Sequence, residues 1–201
     1  MRQISNILLG LIFTMMSAQF LLVLMLGAAI APDYSIQDNA ISDLGVISET
    51  ALLFNSSLFL FGLLVIIGAY FYQQIHGKRW LTIIFLGSGI GAIGVALFPL
   101  NNPGVHAVFA LIAFLFANFI PIAISTILPK PLTILSILTG VVGLFFLFVH
   151  LLSDMNLLSL YGLIGHGGSE RMIVYPALLW LVAFGGYLMA SSPEKITESA
   201  S

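Results

Sequence analysis

The longest polar passage of the chain is Ser35-Ile-Gln-Asp-Asn-Ala-Ile-Ser-Asp-Leu-Gly45. It follows a long apolar run that ends at Pro32, and a second long apolar run begins at Ala51. The passage and its neighbour Asp33 hold three of the eight acidic residues and no basic residue. We interpret it as a loop between two membrane-spanning helices. Because the chain has so few charges, we expect this polar loop to have a functional role.

Composition places the chain in a membrane. Of its 201 residues, 60% are hydrophobic and 7% are charged, and the mean hydropathy is +1.12. A soluble domain carries about 25% charged residues, and an apolar run of about 20 residues can cross a bilayer. The absence of cysteine excludes disulfides, iron–sulfur clusters and thiolate metal sites. No basic run indicates a nucleic-acid partner.

The apolar runs and the turns between them predict an all-α fold, a six-transmembrane-helix bundle that forms a single membrane domain over residues 1–201. Prolines such as Pro32 and Pro129 mark the turns, because proline cannot continue a helix. Gly87 and Gly91 form a small-xxx-small pair that lets a neighbouring helix approach closely. The predicted helices cover residues 7–31, 51–72, 80–97, 106–128, 132–153 and 171–190, followed by a polar tail at 191–201.

Six alternating helices place both termini on the same side of the membrane. The termini and turns of that side carry five of the six basic residues, whereas the other side carries one. The positive-inside rule then predicts a cell-membrane protein with both termini in the cytoplasm and the acidic loop on the outer face. The five residues are Arg2, Lys78, Arg79, Lys130 and Lys195, and the sixth is Arg171.

This topology gathers most ionisable side chains at the outer face. Ionisable groups in or near a membrane are costly, and they indicate function unless they are paired. His150 and Asp154 are four residues apart and point along one helical face, and His166 and Glu170 repeat that interval. A histidine beside a carboxylate can form a metal site or an oriented general base.

Structural interpretations of the same residues remain open. His150 with Asp154 is also typical of a hydrogen-bonded pair at a helix end. Glu170 with Arg171 is typical of an ion pair at a helix start, although Asp43 competes for the same guanidinium. We expect Asp43 and Arg171 to lie within salt-bridge reach, directly or through the network of Glu170.

Three groups of short motifs share one resemblance. They are Asn39-Ala-Ile-Ser-Asp-Leu-Gly45 with Leu53-Phe-Asn55 and Gly62, Leu97-Phe-Pro99 with His106, and Gly168-Ser-Glu-Arg-Met172 with Tyr175-Pro176 and Trp180. Together they resemble domain-of-unknown-function family 998, small integral membrane proteins with six helices, over residues 10–190. The positions that the resemblance carries over are Asn39, Ser42, Asp43, Gly45, Asn55, Pro99, His106, Glu170 and Arg171.

Two functional hypotheses follow. The first is a polar site on the outer face that binds or processes a membrane lipid. A more distant similarity, to six-helix proteins of the FGF-receptor-activating and autophagy-modulator type, implies the same class of partner, because some of those proteins act in lipid remodelling. The catalytic candidates are Asp43, His106, Glu170 and Arg171, with Arg171 holding a phosphate or carboxylate, and the binding candidates are Asn39, Ser42, Asn55, His150 and Asp154.

The second hypothesis is a non-enzymatic structural or accessory subunit of a larger membrane protein complex. Under it, the polar outer residues form an internal network, and Asn55 contributes to helix–helix packing. Copurification of a stoichiometric partner favours this second hypothesis. Proton or solute transport ranks lower, because the middle of the membrane offers little beyond Asn118 and Pro121.

Neutral imidazole with carboxylate suits zinc or a similar divalent ion. The spacing of the histidines lacks the tight His-x-x-x-His pattern that marks many zinc sites. Haem is disfavoured, because His106 and His150 show no clear pairing across helices. The candidate metal ligands are His106, His150, Asp154 and His166.

Overall fold

The structure, a computed structural model, describes residues 2–157 and 161–191. Lys195 and most of the tail predicted at 191–201 lie outside the described residues. The described part is helical and contains no strand. Its long helices are α1 (Arg2–Ile30), α2 (Ala51–His76), α3 (Arg79–Leu97), α4 (Pro103–Ser125), α5 (Lys130–Asp154) and α6 (Gly165–Ala190).

All six helices are long and apolar enough to cross a membrane, which confirms the prediction of an all-α polytopic bundle. Each helix packs against its neighbours in the chain, and α6 packs against α1, so that the helices close into a ring. The segment 31–50 and the connector 98–102 lie at one end of this ring. We call that end the loop face.

Aromatic side chains pack against one another in the half of the bundle that is nearer the termini. Phe13 of α1 stacks on Phe85 of α3, with ring centroids 5.3 Å apart. Trp180 stacks on Phe184 of α6 at 4.8 Å, and the Trp180 indole donates a hydrogen bond to Ser136 Oγ of α5 at 2.7 Å. These contacts join α1 to α3 and α6 to α5 in this half of the bundle.

Helix α4 is tied to both α3 and α6. A side chain added at Gly91 would meet the backbone of Ala113, so the predicted close approach of a neighbouring helix is confirmed for α3 and α4. Asn118 donates to the Ile173 carbonyl of α6 at 3.1 Å, three residues before Pro176. A proline inside a helix removes a backbone donor, and the amide of Asn118 supplies a donor near that point.

Helix α6 begins at Gly165, six residues before the predicted start at 171. The glycine-rich sequence Gly165-His-Gly-Gly168 favours a loop by itself. The folded chain makes it helical because the Gly167 N–H donates to the Gln37 carbonyl at 2.8 Å. This tertiary hydrogen bond satisfies a backbone donor that the first turn of a helix leaves unpaired.

Candidate functional site at the loop face

Arg171 holds the polar loop against α6. Its Nη1 donates hydrogen bonds to the carbonyls of Ile36 (2.9 Å), Asn39 (3.1 Å) and Gly167 (2.8 Å). Its Nη2 donates to Tyr34 Oη at 2.6 Å, and the guanidinium carbon lies 5.6 Å from the centroid of the Tyr34 ring. The side chain is buried, so its N–H groups donate hydrogen bonds to groups of the protein and not to a ligand.

Two carboxylates hold the short 3-10 turn at Ile41–Gly45. Glu170 Oε2 accepts a hydrogen bond from the Ile41 N–H at 2.5 Å. Asp43 Oδ2 accepts from the Ala40 N–H at 2.9 Å. These two hydrogen bonds from backbone N–H groups hold the turn in place. We call the group the loop clamp, and its members are Tyr34, Asn39, Asp43, Glu170 and Arg171.

We expected Asp43 and Arg171 to lie within salt-bridge reach, directly or through the network of Glu170, and the direct ion pair does not form. Among the described residues, the ion pairs within 4.0 Å involve only histidines and Asp154. The two residues are instead linked through Asn39, whose carbonyl accepts from Arg171 and whose Nδ2 donates to Asp43 Oδ2 at 3.2 Å. The physical reason is that buried backbone carbonyls also need donors, and the guanidinium supplies them.

Tyr34 completes the loop clamp. Its hydroxyl donates to the Ala40 carbonyl at 2.8 Å and accepts from Arg171. Burial raises the pKa of Tyr34 above its ordinary value, although the charge of Arg171 opposes this. The hydroxyl therefore keeps its proton, which the hydrogen bond to Ala40 requires.

A cavity of about 420 Å³ lies beside the clamp, bounded by the 3-10 turn, α4, α5 and α6. This volume falls within the range of about 300–1,000 Å³ that is usual for small-molecule sites. Its polar lining combines three carboxylates with three imidazoles and one hydroxyl. These residues are Ser42, Asp43, His106, His150, Asp154, His166 and Glu170.

The deeper lining of the cavity is apolar. Leu111 and Phe114 of α4 lie about one and two turns below His106, and Leu147 of α5 lies about one turn below His150. A narrower apolar cavity of about 80 Å³ adjoins it and shares His106 and Phe114 among its lining residues. The space is therefore polar near the loop face and apolar toward the middle of the bundle.

The cavity also reaches the surface between α4 and α5. Leu111 of α4 and Leu151 of α5 both line it, and they are 40% and 37% exposed. In a chain of this type, apolar exposure on a spanning helix faces lipid. The cavity is thus bounded in part by exposed residues on helices that are apolar enough to cross a membrane.

Three of the lining residues form a compact group that we call the His–Asp cluster, consisting of His150, Asp154 and His166. His150 Nε2 lies 3.4 Å from Asp154 Oδ2, and His166 Nε2 lies 3.4 Å from Asp154 Oδ1. The two imidazole rings are 4.7 Å apart between centroids. The early start of α6 produces this group, because it places His166 on the first turn of the helix, opposite the end of α5.

Tyr161 supports the cluster, and its contribution could not be read from the sequence. Its hydroxyl donates a hydrogen bond to Asp154 Oδ1, and its ring lies edge-on to both imidazoles. Burial raises the pKa of Tyr161, and the hydrogen bond to Asp154 adds to the effect. The hydroxyl therefore remains a donor that orients the carboxylate.

His106 lies apart from the His–Asp cluster. Its Nδ1 is 2.9 Å from the carbonyl oxygen of Phe98, which can only accept, so Nδ1 carries the proton. In the neutral ring Nε2 is then the atom with a free lone pair. Of the candidate metal ligands, the structure gathers His150, Asp154 and His166 within 4.8 Å of one another, without His106.

Apart from Asn55, the remaining candidates belong to the cavity lining, to the clamp, or to both, as Asp43 and Glu170 do. Asp43, His106 and Glu170 line the cavity, as does Ser42, whereas Arg171 does not. Asn39 belongs to the clamp. Asn55 donates to the Gly45 carbonyl at 2.9 Å and so anchors the end of the 3-10 turn on α2.

The comparisons agree with this architecture. A family model described as "Protein of unknown function (DUF998)" matches residues 15–187. The chain belongs to the DUF998 family. The match covers all three groups of motifs, and with the six apolar helices it identifies an integral membrane protein of that family. No curated protein and no solved structure matches the chain.

Proposed function

We propose that this DUF998 protein binds a membrane lipid in the cavity at the loop face. The observation that carries the proposal is the polarity of the cavity, which changes from ionisable residues at the loop face to leucine and phenylalanine about two turns deeper. A lipid changes in the same direction, from a polar headgroup to an apolar acyl chain. The headgroup would meet His106 and the His–Asp cluster, and the chain would pass Leu111 and Phe114.

The lateral position of the cavity supports entry from the bilayer. Leu111 and Leu151 are both cavity-lining and partly exposed, so a lipid could enter between α4 and α5 without crossing water. The positive-inside rule assigns this cavity to the outer leaflet, because Arg171 is the one basic residue on that side.

The charges of the lining indicate the chemistry of the headgroup. Among the described residues, the cavity is lined by carboxylates and imidazoles and by no lysine or arginine. Such a lining favours headgroups that offer hydroxyl or ammonium donors. Arg171, which the sequence offered as a phosphate ligand, is held by the clamp and has no part in this proposal.

Native mass spectrometry of the chain in mild detergent tests the proposal. Ala110 lines the cavity, so Ala110→Trp should fill it and abolish retention of a copurified lipid. Val108, on the same helix, is 57% exposed and does not line the cavity, so Val108→Trp is the matched control and should retain the lipid. Thermal unfolding of both variants checks that they are folded.

Equal lipid retention in folded Ala110→Trp and in the wild type would exclude the cavity as the binding site. The hypothesis of an accessory subunit predicts a different spectrum. It predicts a second protein in fixed stoichiometry, and no lipid whose retention depends on Ala110.

A further inference from the structure

We propose that the His–Asp cluster is a binding site for a zinc-type divalent metal ion. The assignment rests on the geometry of His150, Asp154 and His166. Only the use of the ion, as an anchor for an oxygen of the lipid headgroup, rests on the proposed function.

The spacing of the donor atoms carries the assignment. The two imidazole nitrogens each lie 3.4 Å from a different oxygen of Asp154, and all the ligand atoms lie within 4.8 Å of one another. These contacts are longer than the 2.7–3.2 Å of most N–H···O hydrogen bonds, about 3.0 Å at the mode. Two ligands bonded to one tetrahedral zinc ion at about 2.0–2.1 Å are separated by about 3.4 Å, which matches one of these two contacts when Asp154 binds through a single oxygen.

The types of ligand indicate the class of metal. Two imidazoles with one carboxylate suit zinc and neighbouring late first-row ions, whereas Mg²⁺ and Ca²⁺ prefer oxygen ligands alone. Three protein ligands with an open fourth position are typical of zinc sites that bind a further molecule. The cluster lines the cavity, so a fourth ligand would approach from that side.

A hydrogen bond from a neighbouring side chain orients the carboxylate of the cluster. Asp154 receives a hydrogen bond from Tyr161, and metal-ligating groups are usually oriented by such a donor. The side chain of Asp154 is 47% exposed, so the ion has a route to it from solvent or headgroup water. The site joins the end of α5 to the start of α6, so a bound ion would link these two helices.

The test is a metal titration of the full chain, purified with an affinity tag free of histidine and stripped with a chelator. Zn²⁺ content is measured by elemental analysis, and Co²⁺ is added as a spectroscopic probe of tetrahedral coordination. We expect one saturable ion per chain. Asp154→Asn and His166→Ala should each weaken binding by more than the roughly 10–100-fold that loss of an outer-shell partner costs, and Tyr161→Phe should weaken it within that range.

The control is His76→Ala, which removes the one histidine at the opposite end of the bundle and should leave metal binding unchanged. Absence of saturable binding in the wild type would overturn the assignment. So would Asp154→Asn and His166→Ala variants that bind the ion as tightly as the wild type. Lipid retention by the metal-free wild type would leave the proposed function intact while refuting the headgroup anchor. Metal binding by folded Ala110→Trp, with its lipid lost, would support both proposals.

Discussion

The loop clamp and the His–Asp cluster lie at the same end of the bundle and share helix α6, yet they use polar groups in different ways. In the clamp, Arg171 directs its donors to three backbone carbonyls and one hydroxyl of the protein. In the cluster, Asp154 faces two imidazoles at 3.4 Å and remains partly exposed to the cavity.

The difference shows how polar residues of a membrane protein divide between stability and binding. A buried polar group whose partners all belong to the protein stabilises the fold, because its loss leaves those partners unpaired. A polar group whose donor or acceptor atoms point into a cavity contributes little to the stability of the fold, and those atoms can bind a ligand. Substitutions in the clamp should therefore change stability, and substitutions in the cluster should change binding.

Arg171→Ala should have the largest effect on stability. Each hydrogen bond to a charged group is worth about 1.5–3 kcal/mol, so the variant should lose about 3 kcal/mol or more, or fail to fold. Arg171→Lys should recover part of the loss, since it keeps the charge without the planar fork. Thermal unfolding in detergent measures both, and a wild-type melting temperature for Arg171→Ala would contradict the role of the clamp.

Gly167→Ala should have the next largest effect. A methyl group there would collide with the carbonyl oxygen of Asn39 and meet the Ile36 carbonyl at 2.6 Å. Overpacking of this kind typically costs about 1–3 kcal/mol. Gly186→Ala on the same helix is the matched control, because nothing lies within 4 Å of the added methyl group, and it should not destabilise the protein. Equal unfolding temperatures for the two variants would show that the loop does not pack closely on α6.

Tyr34→Phe should cost about 1–2 kcal/mol near neutral pH, because it removes two hydrogen bonds. The cost should depend on pH in a defined direction. Since the fold raises the pKa of Tyr34 above 10.0, its contribution is fully present below that pH and is lost as the pH rises through the folded value. The difference in unfolding temperature between the wild type and Tyr34→Phe should therefore narrow in alkaline solution. A difference that stays constant or widens would contradict the role of the protonated hydroxyl.

Asp154→Asn should have the smallest effect on stability. The carboxylate is half exposed, and exposed ion pairs contribute about 0–1 kcal/mol. With metal removed, the variant should unfold within about 1 kcal/mol of the wild type. Unfolding of the metal-free variant as early as that of Arg171→Ala would mean that the cluster is a second structural clamp.

Much of the fold followed from the sequence alone. Long apolar runs and proline-rich turns predict the helices because a bilayer leaves the backbone few alternatives. Of the positions that the resemblance carried over, Ser42, Asp43, His106 and Glu170 line the cavity, whereas Asn39, Asn55 and Arg171 do not.

The division between clamp and cluster could not be predicted, because it depends on tertiary contacts. Three of the four acceptors of Arg171 are backbone carbonyls, which carry no signal in the side-chain sequence. The glycines before Glu170 favour a loop, so the sequence did not predict the helix start that brings His166 to Asp154. For Tyr161, the only signal was its position in the segment between two histidines.

Photo-crosslinking with bifunctional lipids tests the central claim most directly. One lipid carries its photoreactive group beside the headgroup, and the other carries it in the acyl chain. If the cavity binds lipid, the first should label peptides that contain His106 or His150, and the second should label α4 near Leu111 and Phe114. Labelling should be lost in Ala110→Trp and kept in Val108→Trp. Labels from both lipids that fall outside the cavity, and are unchanged in Ala110→Trp, would contradict the account.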